Sequence, residues 1–468
     1  MGTAGARVMG MRAETAIVGM GRTGCSVARY LARMGQRFEM FDERLDAPPA
    51  GIAAPFHSGP LRPGDLDAFA CVIASPGVDW RHPALVSARE AGARVAGDLD
   101  LFREQFRGEL LAVTGTNGKS TVVHLLGLML EVLPGGVEVA GNIGRPMLDL
   151  LGPDEQPARV ALELSSFQLE RAGPVRPAWA ALLNVRPDHA DMHEDFNAYR
   201  AAKLRLFAAQ GEGDAAALPL DGEWDELAGE LAGRGVRVRR FGLVERPEAA
   251  DMGVCVGEGA RRLFWRDAEG LASLEAGRLR IMGAHQHLNL AVAAQAAADQ
   301  GVSRGVIVEA LTAFRGLPHR LQFVARRRGR DWYDDSKATN PDAALAALAA
   351  FDRVVWICGG LTKGVDLAPL EAAARRHAAM ALVIGKEPAP FVEMLARAGV
   401  PRRVAGDIET AVAAAAEWNE EQAADGALLP VVLAPAAASQ DQFRDYAERG
   451  ERFAAAVAAL EPGLRGAA

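Results

Sequence analysis

The opening part of the chain alternates short apolar runs with stretches of helical spacing. Residues 15–20, 38–42 and 71–75 read as strands, and residues 25–34 read as a helix between the first two. Strands and helices in alternation predict a parallel sheet with covering helices. A second α/β unit opens at 110–114, an apolar run that leads into a Gly-rich turn, with further strands expected at 160–164 and 179–184. The stretch 211–280 breaks the pattern. It is rich in Gly, Arg and Glu and holds only short alternating segments, such as 236–241 and 262–265, so it reads as loops and a small antiparallel patch. A helix is expected over 287–299. A third unit opens near Leu317, with strands at 331–334, 354–358, 381–384 and 428–433 between alanine-rich helices such as 343–350 and 410–418. The chain is therefore read as α/β throughout, in three successive units.

Composition narrows the class. With 468 residues, 50% of them hydrophobic and 24% charged, the chain resembles ordinary soluble proteins and is long enough for several cores. A formal net charge of -8 gives no footprint for nucleic acid, so any anion site must concentrate positive charge locally. Cys25, Cys71, Cys255 and Cys358 are far apart and show no CxxC spacing, which argues against zinc and against a disulfide framework. That usage fits a reducing cytosol. Residues 1–16 lack an apolar signal core, and no apolar run is long enough to span a bilayer. A cytoplasmic protein without membrane insertion is expected.

The strongest chemical signal is the string Gly115, Thr116, Asn117, Gly118, Lys119, Ser120, Thr121, which follows an apolar strand and precedes the helical pattern 122–130. Strand, loop and helix in register are the context of a phosphate-binding loop. Glycines let several backbone N–H groups point at one anion, and the helix N-terminus adds a favourable dipole. Lys119 can reach the β- and γ-phosphates of ATP, and the Ser120 hydroxyl can bind Mg²⁺. Nearer the N-terminus, Gly19, Gly21 and Gly24 also follow a strand and open a helix, and Asp42 lies 18 residues after Gly24 at the end of the next strand. That is the dinucleotide fingerprint, and taken alone it leaves a nicotinamide-dependent oxidoreductase open. A chain with a second nucleotide loop does not need NAD, because any ligand with a pyrophosphate and a ribose could use the same geometry.

Other polar groups also gather at strand ends. Glu163, in Glu163-Leu-Ser-Ser-Phe-Gln168, suits a metal ligand facing the phosphates. The segment Asn184-Val-Arg-Pro-Asp-His-Ala-Asp-Met-His193 offers Asp188 and His189 to a metal or a phosphate, and His193 reads as structural. Lys203 lies in a helical pattern, where a lysine is most often a solvated cation. Asp334-Asp-Ser-Lys-Ala-Thr-Asn340 and Gly359-Gly-Leu-Thr-Lys-Gly-Val-Asp366 place Lys337 and Lys363 on loops where α/β folds bind ligands. Two cations beside an ATP site imply an anionic second substrate.

In order and spacing these residues resemble the Mur ligases of peptidoglycan synthesis. The strings that carry the resemblance are Thr114-Gly-Thr-Asn-Gly-Lys-Ser-Thr121, Leu162-Glu-Leu-Ser-Ser-Phe-Gln-Leu-Glu170, Asn184-Val with Asp188-His189, Leu317-Pro-His-Arg320, Asp335-Ser-Lys-Ala-Thr-Asn340, and Ser439 through Asp441-Gln-Phe to Glu448-Arg-Gly450. They cover all three units. Folate-forming ligases share the general layout, but Glu-Leu-Ser-Ser-Phe-Gln and Asp-Ser-Lys-Ala-Thr-Asn look like the members that add glutamate.

The resemblance implies a Rossmann-like domain for a UDP-linked substrate over residues 1–107. A central P-loop ATPase-type domain would follow over 108–316, and a Rossmann-like glutamate-binding domain over 317–468. It implies ATP-dependent ligation of D-glutamate to UDP-N-acetylmuramoyl-L-alanine through an acyl phosphate. The alternative is the same chemistry with L-glutamate or another amino acid. On the matching positions, Arg22, Thr23, Ser75 and Gly77 would face the pyrophosphate, and Asn142 would hold the substrate diphosphate. Asp42, Glu43 and Arg44 would face uridine. The loop from Gly115 to Thr121, with Arg320 and Asp335, would bind ATP. Ser120, Glu163, His189 and Lys203 would hold two Mg²⁺, with Lys203 carrying the carbamate found in the family. Lys337, Thr339, Lys363, Ser439 and Tyr446 would surround glutamate. The partners are then small molecules, and a monomer is expected. Some positions depart from the family's pattern. Glu43 stands where threonine is expected, Gln286 where asparagine is, Pro341-Asp342 for Val-Gly, Leu361 for aspartate and Ala437 for cysteine.

Overall fold

The computed structural model describes residues 14–142, 144–152, 155–187, 193–256, 261–422 and 428–460. The chain groups into two compact units, one of residues 1–115, 126–183 and 197–239, the other of residues 116–125, 184–196 and 240–468.

In the first unit, strands β1 (Thr15–Val18), β2 (Phe38–Asp42), β3 (Phe56–Ser58), β4 (Cys71–Ala74) and β5 (Arg94–Ala96) run in parallel in the order β3-β2-β1-β4-β5. The chain leaves β1 through the helix Arg22–Arg33 toward β2 and later returns to the other side of β1 as β4. The strand order therefore reverses between β1 and β4, and the loops that follow those strands open at that switch point, where doubly wound sheets bind ligands. Ala16, Val18, Phe41, Val72 and Ala74 pack with Leu66, Phe69 and Leu85 into a dry core on one face.

The same unit holds β6 (Glu109–Thr114), β7 (Glu138–Gly141), β8 (Arg159–Glu163), β9 (Trp179–Leu182) and β10 (Ala215–Pro219), all parallel, with neighbours in the order β10-β9-β6-β8-β7. Strands β6, β8 and β9 are buried along almost their whole length, as parallel strands covered on both faces must be.

Residues 211–280 are more regular than their composition predicts. Strand β10 pairs in parallel with β9, and β11 (Arg237–Val244) pairs in parallel with β12 (Met252–Cys255). Only β12, β13 (Arg262–Asp267) and β14 (Gly270–Glu275) form the expected antiparallel patch. A helix, Asp225–Gly233, also lies here, and its pattern is faint because Leu231 is its one buried residue. In the second unit the helix Ala284–Asp299 packs on β12 and β13. Gln295 fixes it there, accepting from the Arg266 N–H at 2.9 Å and donating to the Arg266 carbonyl at 2.8 Å.

The last sheet comprises β15 (Gln322–Arg327), β16 (Arg330–Asp334), β17 (Val354–Gly359), β18 (Ala378–Ile384), β19 (Arg402–Gly406) and β20 (Val431–Leu433), in the order β15-β16-β20-β17-β18-β19. All pairs are parallel except β15 with β16. Trp356, Phe391 and Met394 fill one face, and Trp332, Ile357 and Phe453 the other. Among the described residues no helix is long and apolar enough to cross a membrane.

Candidate functional site

At the end of β1 the chain folds so tightly that a Cβ on Gly24 would lie 2.0 Å from the Gly19 carbonyl oxygen, so only glycine lets the following helix start there. Ser75, just after β4, donates its hydroxyl to that same carbonyl at 2.6 Å. Asp42, at the end of β2, accepts from the N–H groups of Met20 (2.6 Å), Arg44 (2.8 Å) and Leu45 (3.0 Å). Burial raises its carboxyl pKa, and these backbone donors outweigh that and hold it below the ordinary value. The loops after three neighbouring strands are thus tied together, and the acid expected to face uridine is engaged by the backbone. Arg22 donates to the Gly144 carbonyl. Arg22, Arg44 and Gly77 are exposed, and Thr23 is half-buried.

Strand β6 delivers Gly115. Lys203, in the helix Phe196–Leu204, is only 2% exposed. Its Nζ donates to the Gly115 carbonyl at 2.9 Å and lies 4.4 Å from the Tyr199 ring centroid. The expectation of a solvated cation fails because this helix turns Tyr199, Ala202 and Lys203 inward. A buried amine carries a desolvation cost that a surface lysine avoids, so the position has a purpose beyond solubility. In the same unit β8 ends at Glu163, also 2% exposed, whose Oε1 accepts from Asn142 Nδ2 at 2.9 Å. The carboxylate expected to hold a metal and the amide expected to hold the diphosphate are therefore in contact. The rest of that motif is architecture. Ser165 accepts from the Gln168 N–H at 3.2 Å, and Gln168 Oε1 accepts from the Ser165 N–H at 3.1 Å, a capping box for the helix Ser166–Arg171.

In the second unit the phosphate loop is braced by Asn184. Its Oδ1 accepts from the Asn117 N–H at 2.9 Å, its Nδ2 donates to the Asn117 carbonyl at 3.0 Å, and its own carbonyl accepts from the Thr116 N–H at 2.9 Å. Gly118 has φ of 91°, and a Cβ there would lie 2.4 Å from Asn289 Oδ1. Lys119 Nζ curls back to the Thr116 carbonyl at 2.9 Å. Arg320 Nη2 donates to the Ser120 hydroxyl at 2.7 Å, which joins two positions expected at ATP and its metal. Burial pushes the carboxyl of nearby Asp335 up to about 7; the Leu321 N–H and Arg320 pull against that, and the Asp334 charge adds to it. His319 Nδ1 lies 2.6 Å from Asp334 Oδ2, and that bond raises the His319 pKa against the effect of burial.

The loops after β16, β17 and β20 are also interlocked. Leu361 and Ala438 exchange backbone hydrogen bonds of 2.9 and 3.0 Å. Arg449, 1% exposed, donates to the Ser336 hydroxyl (3.0 Å), the Ser336 carbonyl (2.8 Å) and the Ala437 carbonyl (3.1 Å). The Ser336 hydroxyl donates to the Tyr446 carbonyl at 2.7 Å, and Lys337 Nζ lies 3.8 Å from the Tyr446 ring centroid. Ser439 is buried, Thr339 half-buried, and Lys363 exposed with φ of 53°. The Pro341-Asp342 departure is a helix start: Asn340 Oδ1 accepts from the Ala343 N–H at 2.9 Å, and Pro341 occupies the first turn.

Asp188 and His189 lie outside the described residues. Among the described residues no three His, Cys, Asp or Glu side chains cluster as metal ligands. Sequence reasoning gave no role to Asn184, Asn289, Ser336 or Arg449. Asn184, Ser336 and Arg449 lie inside motif strings, so their positions are visible in the sequence but their work is not.

Comparison with known proteins covers nearly the whole chain. The profile of the Mur ligase MurD-like N-terminal domain matches residues 13–97, that of the Mur ligase middle domain residues 113–297, and that of the Mur ligase glutamate ligase domain residues 319–429. The UDP-N-acetylmuramoylalanine–D-glutamate ligase of Pseudomonas aeruginosa is 36% identical over 455 residues, 95% of this chain and 97% of that protein. The ligase of the same name from Methylococcus capsulatus is 38% identical and covers 96% of this chain and 95% of its own length. Among solved structures, UDP-N-acetylmuramate-alanine ligase MurC from Thermotoga maritima aligns with a TM-score of 0.57 at 19% identity, covering 94% of this chain and 98% of that one. MurF from Acinetobacter baumannii aligns with a TM-score of 0.57 at 16% identity, over 81% and 90% of the two chains. At such identities these two structures speak to the fold alone.

Proposed function

We propose that this chain, which belongs to the Mur ligase family, joins D-glutamate to UDP-N-acetylmuramoyl-L-alanine at the expense of ATP in peptidoglycan precursor synthesis. The observation that carries the reading is the match to D-glutamate ligases over 95% of the chain. The domain division expected from the sequence, 1–107, 108–316 and 317–468, is retained in this proposal. The reaction is cytoplasmic, and the acting species a monomer.

Forming an amide from a carboxylate is uphill in water without activation. The alanyl carboxylate attacks the γ-phosphorus of ATP and releases ADP, giving an acyl phosphate. The glutamate amine adds to that carbonyl, and the tetrahedral intermediate collapses with loss of phosphate and a proton. The work of the site is to position and neutralise several anions at once. Gly115 to Thr121 cradle the triphosphate, Lys119 turns from the Thr116 carbonyl to its phosphates, and Arg320 and Asp335 contact the nucleotide. Arg22, Thr23, Ser75, Gly77 and Asn142 face the substrate diphosphate, with Asp42 and Arg44 toward uridine. Lys337, Thr339, Lys363, Ser439 and Tyr446 receive glutamate.

The Ser120 hydroxyl and the buried Glu163 carboxylate are hard oxygen donors that suit Mg²⁺, and with His189 and Lys203 they would hold the two ions. Bound Mg²⁺ would neutralise phosphate charge and align it for transfer. An ammonium cannot ligate a cation. Addition of CO₂ to the Lys203 amine, with loss of a proton, supplies an anionic oxygen pair. It leaves one N–H on the nitrogen that now donates to the Gly115 carbonyl at 2.9 Å.

The test is phosphate release by the purified protein with ATP, UDP-N-acetylmuramoyl-L-alanine and a panel of amino acids that includes both glutamate enantiomers. Release is expected to depend on D-glutamate. Faster turnover of L-glutamate or of another amino acid, or release independent of the UDP-linked substrate, would overturn the assignment.

A further inference from the structure

We propose that Arg171 is a positioning residue for the diphosphate of the UDP-linked substrate: it grips the carbonyls of the loop after β4 and so turns the Gly77 N–H outward as an anion donor. Arg171 closes the helix Ser166–Arg171 and is 5% exposed. Its Nη1 donates to the carbonyls of Ala74 and Ser75, and its Nη2 to those of Pro76, at 3.0 Å, and Val78. The Trp80 ring lies beneath, its centroid 5.3 Å from the Arg171 Cζ, and Arg89 sits on that ring at 4.2 Å. The loop is thus wrapped around one cation.

A trans peptide is planar, so the carbonyl of one residue and the N–H of the next point in opposite directions. The Pro76 carbonyl faces Arg171, and the Gly77 N–H therefore faces away from it. Gly77 is exposed, a Cβ there would meet nothing within 4 Å, and its N–H makes no hydrogen bond among the described residues. This is a backbone donor held open for a ligand. The Ser75 hydroxyl carries the same restraint to the glycine loop through the Gly19 carbonyl at 2.6 Å. Without the guanidinium the carbonyls would turn to water, and only the bond from the Val78 N–H to the Ser75 carbonyl at 3.0 Å would hold the turn that contains the Pro76–Gly77 peptide. A lysine could keep the charge, but it lacks the planar fork that reaches several carbonyls at once.

This inference rests on the reading of these loops as the UDP-substrate site, and the experiment separates the two. UDP and uridine are titrated by calorimetry into the wild type and into Arg171→Lys. The variant should bind UDP roughly ten-fold more weakly and uridine within about two-fold of wild type, because only the diphosphate uses the positioned donor. In turnover the KM for the UDP-linked substrate should rise while the KM for ATP and kcat stay close to wild type. Equal losses for UDP and uridine, or no loss for UDP, would overturn the role of Arg171. Absence of UDP binding to the wild type would overturn the site reading itself. Hydrogen exchange on the wild type gives an answer even where the variant fails to fold. UDP, and not uridine, should slow exchange in the peptide that carries Gly77, and exchange unchanged by UDP refutes the proposal.

Discussion

Asp335→Asn removes a buried carboxyl and keeps its shape. Asp335 is 9% exposed, and burial is the main reason its pKa climbs from 3.8 to about 7. In the unfolded chain the group ionises near 3.8, whereas in the folded protein it keeps its proton up to about 7. Between those values the folded state binds more protons than the unfolded state, so stability falls as pH rises through the window. The contribution is fully present below pH 3.8 and lost above about 7. At about 1.4 kcal/mol for each tenfold difference in proton affinity, the whole change is at most roughly 4 kcal/mol.

Asparagine is neutral at every pH in question, and its side-chain oxygen can still accept from the Leu321 N–H. Urea midpoints of wild type and variant, compared from pH 5 to pH 8, isolate the one group, because His319 titrates in both proteins and cancels in the difference. The variant's advantage should grow by on the order of 1 kcal/mol per pH unit up to neutrality and then level off. Activity should move the other way, with a raised KM for ATP, if the ionised carboxylate is kept for the nucleotide rather than for the fold. A stability difference that stays flat across the pH range would refute the reasoning, whatever happened to turnover.

Lys119→Ala should lower kcat by roughly 10² or more with an unchanged melting curve, since it removes a charge that acts mainly on the transferring phosphate; activity within a few-fold of wild type would sink the assignment. Gly118→Ala should destabilise by roughly 1–3 kcal/mol and weaken ATP binding, because it forces a Cβ onto a left-handed backbone and against Asn289; differential scanning calorimetry and ATP titration check both. Lys203→Ala should be nearly inactive and partly rescued by acetate, which can occupy the vacated site. An active variant would remove the carbamate from the mechanism.

In the first and last sheets the buried strands are legible to within a few residues, Phe38–Asp42 as it stands and Val354–Gly359 one residue short, whereas the more exposed β3, β5, β15 and β19 are not legible. Buried parallel strands are uniformly apolar and bounded by turn residues, a signal that survives without context. The Asp225–Gly233 helix was not legible, because one buried leucine gives no periodicity to read. Parallel pairing of β11 with β12 was not legible either, because pairing direction depends on where the chain returns and not on composition. At the site, residue types suited to phosphates stand out at strand ends. Lys203 did not: its burial is set by how the helix Phe196–Leu204 docks, and only the family resemblance singled it out.

The two arginine roles that the sequence does not reveal share one physical cause. A loop that binds ligand cannot satisfy its carbonyls within a sheet or helix, yet buried carbonyls must be satisfied. In the first unit Arg171 gathers the carbonyls of Ala74, Ser75, Pro76 and Val78, and in the second Arg449 gathers those of Ser336 and Ala437. Burial lowers both arginines to about 10, which still leaves them charged at neutral pH. Each guanidinium offers five fixed donors, so one side chain can bind several carbonyls of a loop whose own hydrogen bonding is a single turn, Val78 to Ser75 in one case and Ala338 to Asp335 in the other. On paper such an arginine cannot be told from a solvated one at the end of a helix. In space it is a scaffold for the neighbouring residues proposed to meet the substrate, and the sensitivity of those residues to mutation should extend to it.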